Sequence, residues 1–262
     1  MNKTVLLSLA MLAVGYVLLP SCQKQPDPVN PPPIDTIIVA DSVGSLSFEI
    51  THAAGDKQLV LNGTDWYVTE NGDSLQVSSY KYFLTNIRLE KDDGTVWTQP
   101  ESYYLIDEGV SASKKFTIQN VPAGVYTKLH FMIGVDSTRN VSGAQTGALD
   151  PIHGMFWTWN SGYIFVKMEG ASPKSDNGTL TFHIGGYQGA NRGQRIVTLV
   201  LPSAITVNGN APHMHLRANL LALFGSPNIV DFSTTSYMMM PSEATKKIAD
   251  NYTSMFSVIM VE

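Results

Sequence analysis

The chain has 262 residues, a formal net charge of −5 and one cysteine. The single cysteine excludes a disulfide bond within the chain, and the acidic balance, without a dense basic stretch, argues against a nucleic-acid partner. The length left after the N-terminal segments suits one large all-β domain or two small ones. Because the sequence shows no internal repeat and no second proline-rich linker, we expect a single domain.

Residues 1–21 have the features of a secretion signal. A charged start at Lys3 is followed by a mostly apolar run over residues 5–19, which is short for a membrane span, and the sequence LPSC then ends at Cys22. This ending resembles a bacterial lipobox, in which the cysteine is acylated and becomes the mature N-terminus. The alternative is a free cysteine behind an ordinary secretion signal. We predict a lipoprotein signal peptide with lipid attached at Cys22.

Residues 22–35 predict a tether. The stretch QKQPDPVNPPPIDT, which follows Cys22, contains five prolines and almost no apolar side chains, and proline-rich chain is extended and semi-rigid. Acyl chains supply membrane affinity without a spanning helix. We therefore expect a lipid-anchored protein in the cell envelope of a Gram-negative bacterium, on the periplasmic or outer-membrane face, with its folded domain at residues 36–262.

Most of this domain alternates between apolar and polar residues, in segments bounded by turn signals, which is the pattern of β-strands. The predicted strands are Ser45–His52, Leu75–Glu90, Tyr103–Ile106, Phe116–Ile118, Val125–Val135, Gly162–Met168, Leu180–Ile184, Ile196–Leu201 and Met255–Val261. The dipeptide Asp93-Gly94 favours a hairpin turn. We predict an all-β fold, an antiparallel β-sandwich of the immunoglobulin-like or jelly-roll-like kind.

One short C-terminal helix is predicted over Pro241–Tyr252. Ala244, Ile248 and Tyr252 recur at four-residue spacing and so share one helical face. Ser242 or Pro241 can begin the helix.

The segment Asp136–Ile152 has no strand or helix periodicity and is rich in Ser, Gly, Thr and Asn. It predicts a long loop, and long ordered loops are often functional. Asp136 and Asp150 flank it, and we expect them to be loop caps rather than a catalytic carboxylate pair. Because the chain has no Gly-x-Ser-x-Gly elbow, HExxH helix or phosphate-binding glycine loop, we expect that it is not an enzyme.

The histidines are the candidate metal ligands, although none has the spacing of a zinc site. His52 ends an alternating strand and His183 lies between two apolar residues, so each buried ring needs a partner; a backbone hydrogen bond is the simplest. His213 and His215 would share one face of a strand and could chelate a metal. They follow the loop at residues 208–212, however, which favours two solvated side chains.

An aromatic row lies in the stretch GMFWTWNSGYIF, residues 154–165. Trp157, Trp159 and Tyr163 share parity, so they face one side of an extended chain. Such a row is more often core than site, whereas a solvent-facing row could stack on sugar rings. We expect Trp159 to be a core residue and leave Trp157 open between core and site.

Motifs spread along the domain carry a family resemblance. They are LDPIHGMFWTWNSGYIFVKMEG at 149–170, THAAG at 51–55, YFLTNIRL at 82–89 followed by Asp93-Gly94, FMIGVD at 131–136, FHIGG at 182–186, and Met240-Pro241 with Ala244. In this order they resemble the MbnP-like family. The resemblance implies a periplasmic or surface β-sandwich associated with copper handling, copper as cofactor, and a di-haem peroxidase-type partner.

Carried over by position, the resemblance implies metal ligands at His52 and His183, which lie within matching motifs, and at His153, which lies within the longest one. Imidazole is a good ligand for copper. The resulting hypothesis is a single Cu(I) held by His52 and His183, with a third donor near the segment at residues 136–159.

The resemblance also implies a tryptophan oxidised to kynurenine, with Trp66, Trp157 and Trp159 as candidates. The chain departs from the copper-linked branch because it lacks that branch's cysteine pairs, and Tyr187 stands where one such cysteine is expected. Two other functions stay open. One is a surface lipoprotein that binds a glycan or another nutrient on the aromatic row, and the other is a purely structural or partner-binding sandwich.

Overall fold

A computed structural model of the protein describes residues 42–159 and 162–262. The predicted signal peptide, Cys22, the proline-rich tether and the first residues of the predicted domain lie outside these ranges. Within them, no helix has both the length and the apolar character needed to cross a membrane.

The described residues are mainly β-strands. The strands are β1 Val43–Ala54, β2 Lys57–Gln58, β3 Tyr67–Val68, β4 Ser74–Lys91, β5 Val96–Thr98, β6 Tyr103–Asp107, β7 Lys115–Pro122, β8 Gly124–Ile133, β9 Phe156–Trp157, β10 Gly162–Ala171, β11 Thr179–Gly185, β12 Arg195–Val207, β13 His213–Asn219, β14 Tyr237–Met238 and β15 Phe256–Val261. The α-helices are α1 Ser137–Val141 and α2 Glu243–Asn251. Every strand predicted from alternation overlaps an observed one.

Two sheets form a sandwich. The small sheet has the order β15-β13-β1-β2, with β7 also paired to β1, and the large sheet has the order β12-β8-β4-β10-β11-β14, with short strands attached to β4 and β10. Apolar side chains from both sheets form the main core, for example Phe48 and Leu216 from the small sheet and Tyr82 and Phe131 from the large one. The predicted all-β sandwich is confirmed.

Most strand pairs are antiparallel, as expected, but two are parallel. Strand β1 runs parallel to β13, with Glu49 opposite His215, and β11 runs parallel to β14, with Phe182 opposite Met238. Alternation shows which face of a strand is buried, but it does not identify the neighbouring strand or its direction.

The outer face of the large sheet carries a second, smaller core. Its buried members are Phe83, Val135, Leu149, Met155, Trp157, Tyr163, Ile164 and Phe165. The segment predicted as a loop, residues 136–152, contributes Leu149 and begins with helix α1. Asp136 accepts a hydrogen bond from the Arg139 amide and Asp150 accepts one from the Ile152 amide. The expectation that these two aspartates are caps is therefore confirmed.

The predicted C-terminal helix is α2. Ser242 is its N-cap and forms a reciprocal capping box with Thr245. Ile248 is buried in the main core, as is Tyr252 just beyond the helix.

Candidate metal site

The outer face of the large sheet presents His183. Its neighbours along β11, Phe182 and Ile184, belong to the main core, so the side chain of His183 points away from that core. On strand β10, His183 lies opposite Lys167, another outer-face residue. His183 is nevertheless only 6 % exposed. The strand therefore places a covered imidazole on the side of the sheet that carries the second core.

One ring nitrogen of His183 has a partner and the other does not. Nε2 lies 2.8 Å from Glu169 Oε1. Nδ1 is buried and has no hydrogen-bond partner among the described residues. An unpaired buried nitrogen is costly in a folded protein, so its presence needs an explanation.

The electrostatics fix the tautomer of His183. Burial lowers the pKa of His183, against the opposing hydrogen bond to Glu169. Burial acts to raise the pKa of Glu169, but the hydrogen bond from His183 and the charge of Lys167 bring it below its ordinary value. A neutral ring beside an ionised carboxylate donates its Nε2–H, so Nδ1 presents a bare lone pair.

Trp157 covers the same face of β11. A Cβ added to Gly185 would lie 2.6 Å from Trp157 Cζ3, so the indole lies directly over this glycine. Residues two apart on a strand share a face, which places Trp157 and His183 on the same side. Trp157 is 3 % exposed, and its Nε1 also has no hydrogen-bond partner among the described residues. Trp157 is thus part of the second core and lies beside the candidate site.

Trp159 is 57 % exposed, so the expectation that it is a core residue is wrong. Strand β9 ends at Trp157 and the chain then turns, so the parity of an extended chain no longer applies at Trp159. The two indole rings are still neighbours, with centroids 5.6 Å apart and planes tilted by 43°. Trp159 therefore extends the aromatic contact from the buried Trp157 to the surface.

A groove of about 570 Å³ opens beside Trp159. Its lining includes Tyr237, Met239 and Met240 from strand β14 and the residues after it. Tyr237 and Met240 are well exposed, at 66 % and 59 %. The groove therefore combines aromatic rings with thioether sulfurs at the edge of the sheet that carries His183.

His52 lies on the opposite side of the large sheet. It belongs to β1 of the small sheet, is 1 % exposed, and its Nε2 lies 2.9 Å from the Tyr82 hydroxyl in the main core. Tyr82 points to the inner face, whereas His183 points to the outer face. The large sheet separates the two histidines, and the hypothesis of one copper site formed by both is corrected accordingly.

Both ring nitrogens of His52 have partners. Nδ1 lies 2.6 Å from Glu108 Oε2, which also pairs with Lys114 Nζ at 2.7 Å. Burial lowers the pKa of His52, and although burial acts to raise the pKa of Glu108, hydrogen bonds from His52 and Lys114 lower it. The neutral ring therefore donates from Nδ1 to Glu108 and accepts from Tyr82 at Nε2. These side chains take the place of the backbone partner that we expected for His52.

His153 and Trp66 occupy other surfaces. His153 is exposed, its Nε2 lies 3.0 Å from the Gly147 carbonyl oxygen, and it lines a groove with Tyr104 and Phe116. Trp66 is 43 % exposed and directly precedes β3. Of the residues predicted to form the site, the structure groups His183, Trp157 and Trp159.

His213 and His215 lie in strand β13 and are half-buried, so the expected pair of solvated loop histidines is wrong. They share one face of β13, as we predicted for the case in which this segment is a strand. His213 Nδ1 lies 3.2 Å from Ser47 Oγ, and His215 Nε2 bonds to Thr51 Oγ1. Both rings thus bond to side chains of β1.

Across residues 42–159 and 162–262, no three or more His, Cys, Asp and Glu side chains are grouped so that they could hold a metal ion. His183 Nδ1 still fits a metal ligand, because it is neutral, buried and without a partner among the described residues. Such a histidine typically donates its other ring N–H to a carboxylate, as His183 does to Glu169. A metal bound here needs further donors of another kind.

The sequence contains one signal for soft donors in this arrangement. The run Met238-Met239-Met240 carries soft donors, but its position next to β11 depends on a two-residue parallel strand. No local pattern in the sequence specifies such a pairing.

Comparison with known proteins identifies relatives. The model of the family described as MbnP matches residues 43–241. Among solved structures, the chain is similar to MbnP from Methylosinus trichosporium, with 16 % identity, 73 % of this chain and 80 % of that chain covered, and a TM-score of 0.49. No curated protein matches.

Proposed function

Because the chain belongs to the MbnP family, we propose that it is a copper-binding protein of the cell envelope, with His183 Nδ1 as a copper ligand. The role is to bind and hand over the metal rather than to catalyse a reaction. The observation that carries the proposal is the buried Nδ1 of His183, which has no hydrogen-bond partner in the part of the chain that the structure describes. Copper supplies the missing partner of this nitrogen.

The surroundings of His183 support a metal ligand over a structural histidine. Glu169 fixes the ring orientation and keeps the proton on Nε2, which is the usual arrangement behind a metal-bound imidazole. Imidazole nitrogen suits copper. A purely structural histidine at this depth would satisfy both nitrogens, as His52 does with Glu108 and Tyr82.

The test is a competition titration of the apo protein against a Cu(I) chelator. Loss of an outer-shell partner typically lowers metal affinity roughly 10–100-fold. Because His183 is a direct ligand in this proposal, we expect His183→Ala to weaken Cu(I) binding by more than that. His153→Ala, at an exposed histidine, is the matched control and should bind like wild type. Wild-type affinity in His183→Ala, with the fold intact by circular dichroism, would refute the assignment.

Trp157 is the best placed of the three candidate tryptophans for oxidation to kynurenine. It lies on the His183 side of β11, it is buried, and its Nε1 has no partner among the described residues. A di-haem peroxidase-type partner would use hydrogen peroxide as the oxidant. Oxygen would add across the indole C2–C3 bond, which breaks, and hydrolysis of the resulting formyl group would release the lost carbon as formate. Peptide mass spectrometry of protein from its native host should show the loss of one carbon and the gain of one oxygen at Trp157. If the change occurs at Trp66 or Trp159 instead, this assignment is wrong.

A glycan-binding function is the alternative, and the exposed rings of Trp159 and Tyr237 beside the groove favour it. Trp157 and Tyr163 of the predicted aromatic row are buried, so Trp159 is the member of that row left as a platform, with Tyr237 beside the same groove. Calorimetric titration with oligosaccharides separates the two functions. Sugar binding by apo wild type that is lost in Trp159→Ala and kept in His183→Ala would support the alternative.

A further inference from the structure

The methionines beside the groove give the proposed copper site a second kind of donor. Strand β14 pairs with β11 so that Thr181 lies opposite Tyr237 and Phe182 lies opposite Met238. Met238 belongs to the main core together with Phe182. After this pair, the next residue is His183 on β11 and Met239 just beyond the end of β14.

Met239 lies on the outer side of the sheet, as His183 does. The hydroxyl of Tyr237 donates a hydrogen bond to Met239 Sδ over 2.7 Å, and both residues line the groove beside Trp159. Tyr237 pairs with Thr181, an outer-face residue of β11. A thioether sulfur has two lone pairs, so Met239 can accept this hydrogen bond and still bind a soft cation.

We infer that Met239 Sδ is a ligand of the copper held by His183, so that the site selects Cu(I). This inference rests on the proposed copper function. Thioether is a soft ligand that favours Cu(I), whereas zinc and Cu(II) favour imidazole and carboxylate. The proposed site therefore includes a donor other than His, Cys, Asp and Glu. Within the described ranges, no three or more side chains of those four types form a group that could hold a metal.

The groove opens beside Met239, which is one of its lining residues. Among its lining residues, Met240 is 59 % exposed and Trp159 is 57 % exposed. A soft cation is attracted to the faces of aromatic rings, and indole is the most favourable of them. Cu(I) that enters the groove would therefore have soft contacts from Trp159 and Met239.

The experiment compares Met238→Leu, Met239→Leu and Met240→Leu, which change three adjacent methionines by the same volume-conserving replacement. Each variant is titrated without oxygen against a Cu(I) chelator and separately with Zn²⁺. The copper K-edge X-ray absorption of the loaded protein reports whether sulfur is bound. We expect only Met239→Leu to lose Cu(I) affinity, by at least about tenfold, and to lose the sulfur signal. Zn²⁺ binding should be unchanged.

The outcomes separate this inference from the proposed function. If wild type has no tight Cu(I) binding, the copper function itself fails. If wild type and Met239→Leu bind Cu(I) equally, or the sulfur signal persists in Met239→Leu, the function stands and the assignment of Met239 is overturned. Loss of affinity in Met240→Leu but not in Met239→Leu also overturns it.

Discussion

Individual residues decide which histidine is available to a metal. His52 and His183 are both buried, both lie in strands and both bond to a glutamate. The difference is one hydroxyl group, because Tyr82 occupies the second nitrogen of His52 and nothing among the described residues occupies that of His183. The sequence identified both histidines through the family resemblance. It could not distinguish them, because Tyr82 is 30 positions from His52 in the chain.

Trp159 shows why the prediction from the aromatic row was wrong at this position. Equal parity implies a shared face only while the chain stays extended, and β9 ends two positions earlier at Trp157. The turn that follows places one ring in the second core and the other in solvent. The pattern of the sequence was therefore informative as far as Trp157 and misleading beyond it.

Gly185 should be essential to the position of Trp157. A Cβ at Gly185 would lie 2.6 Å from Trp157 Cζ3 and 2.6 Å from the Tyr163 carbonyl oxygen, so Gly185→Ala forces the indole to move. Overpacking of this kind costs about 1–3 kcal/mol in the free energy of unfolding. Urea unfolding and the tryptophan emission spectrum measure the two effects.

The matched control for this change is Gly63→Ala. The nearest atom to a Cβ added there is Val60 Cγ1 at 3.3 Å, so a small adjustment of one side chain suffices. We expect wild-type stability and emission from this control. If Gly185→Ala matches it in both measurements, the packing of Trp157 on β11 is not as described.

At the scale of the elements, the strands were predictable and their partners were not. In long alternating segments such as β4, the spacing of the apolar residues in the sequence identifies the face that is buried. The parallel pairing of β1 with β13 joins residues more than 160 positions apart, and no local periodicity encodes it. The proposed site depends on a similar parallel contact between β11 and β14, so no local pattern in the sequence predicts that Met239 lies near His183.

The segment Asp136–Ile152, between β8 and β9, is predicted as a loop because its apolar residues have no regular spacing. Its order comes instead from single polar contacts. Asn140 is 2 % exposed and donates to the Val135 carbonyl oxygen at 2.6 Å and the Asp136 carbonyl oxygen at 2.9 Å. Its side-chain oxygen accepts from the Tyr163 amide at 3.0 Å. This side chain therefore joins α1 to the start of β10.

Asn140→Ala should loosen the segment that covers the second core. The change leaves buried backbone groups unpaired, which costs about 1–3 kcal/mol. Hydrogen exchange should show faster exchange of the Tyr163 amide, with exchange of β4 amides unchanged. Val141→Ala, at a side chain that is 67 % exposed, is the control and should change stability by less than about 0.5 kcal/mol. Equal exchange in the two variants would argue against this role of Asn140.

At the scale of the whole molecule, the described domain is predicted to be held at a membrane by its N-terminus. This prediction rests on the sequence LPSC, which ends at Cys22, and on the proline-rich stretch after it. Cys22→Ala should abolish acylation, so the expressed protein should leave the detergent phase or accumulate as an uncut precursor. Ser21→Ala keeps a small residue before the cysteine and serves as the control. Unchanged processing and partitioning of Cys22→Ala would disprove the anchor.

The stability of the domain should depend on pH through His52. Burial lowers the pKa of His52 in the folded state, while an unfolded chain titrates near 6.5. Below that value the unfolded state therefore binds more protons than the folded state, so the free energy of unfolding decreases as pH falls. Above about pH 6.5 this contribution is fully present; it is lost progressively as pH falls towards the folded pKa. The charged groups that act on the ring are Glu108, whose own pKa is lowered, Lys114 behind it, and Asp107. The ring also contacts the hydroxyl of Tyr82 and the ring of Tyr80.

Urea unfolding of the metal-free protein at a series of pH values measures this dependence. Wild type should lose stability steadily as pH falls below about 6.5. His52→Gln keeps a donor and an acceptor but cannot titrate, so it should be less stable than wild type at neutral pH and show a shallower loss in acid. The two curves should therefore converge as pH falls. Parallel curves would mean that another group controls the acid sensitivity, and a wild-type stability that rises on acidification would contradict the lowered pKa of His52.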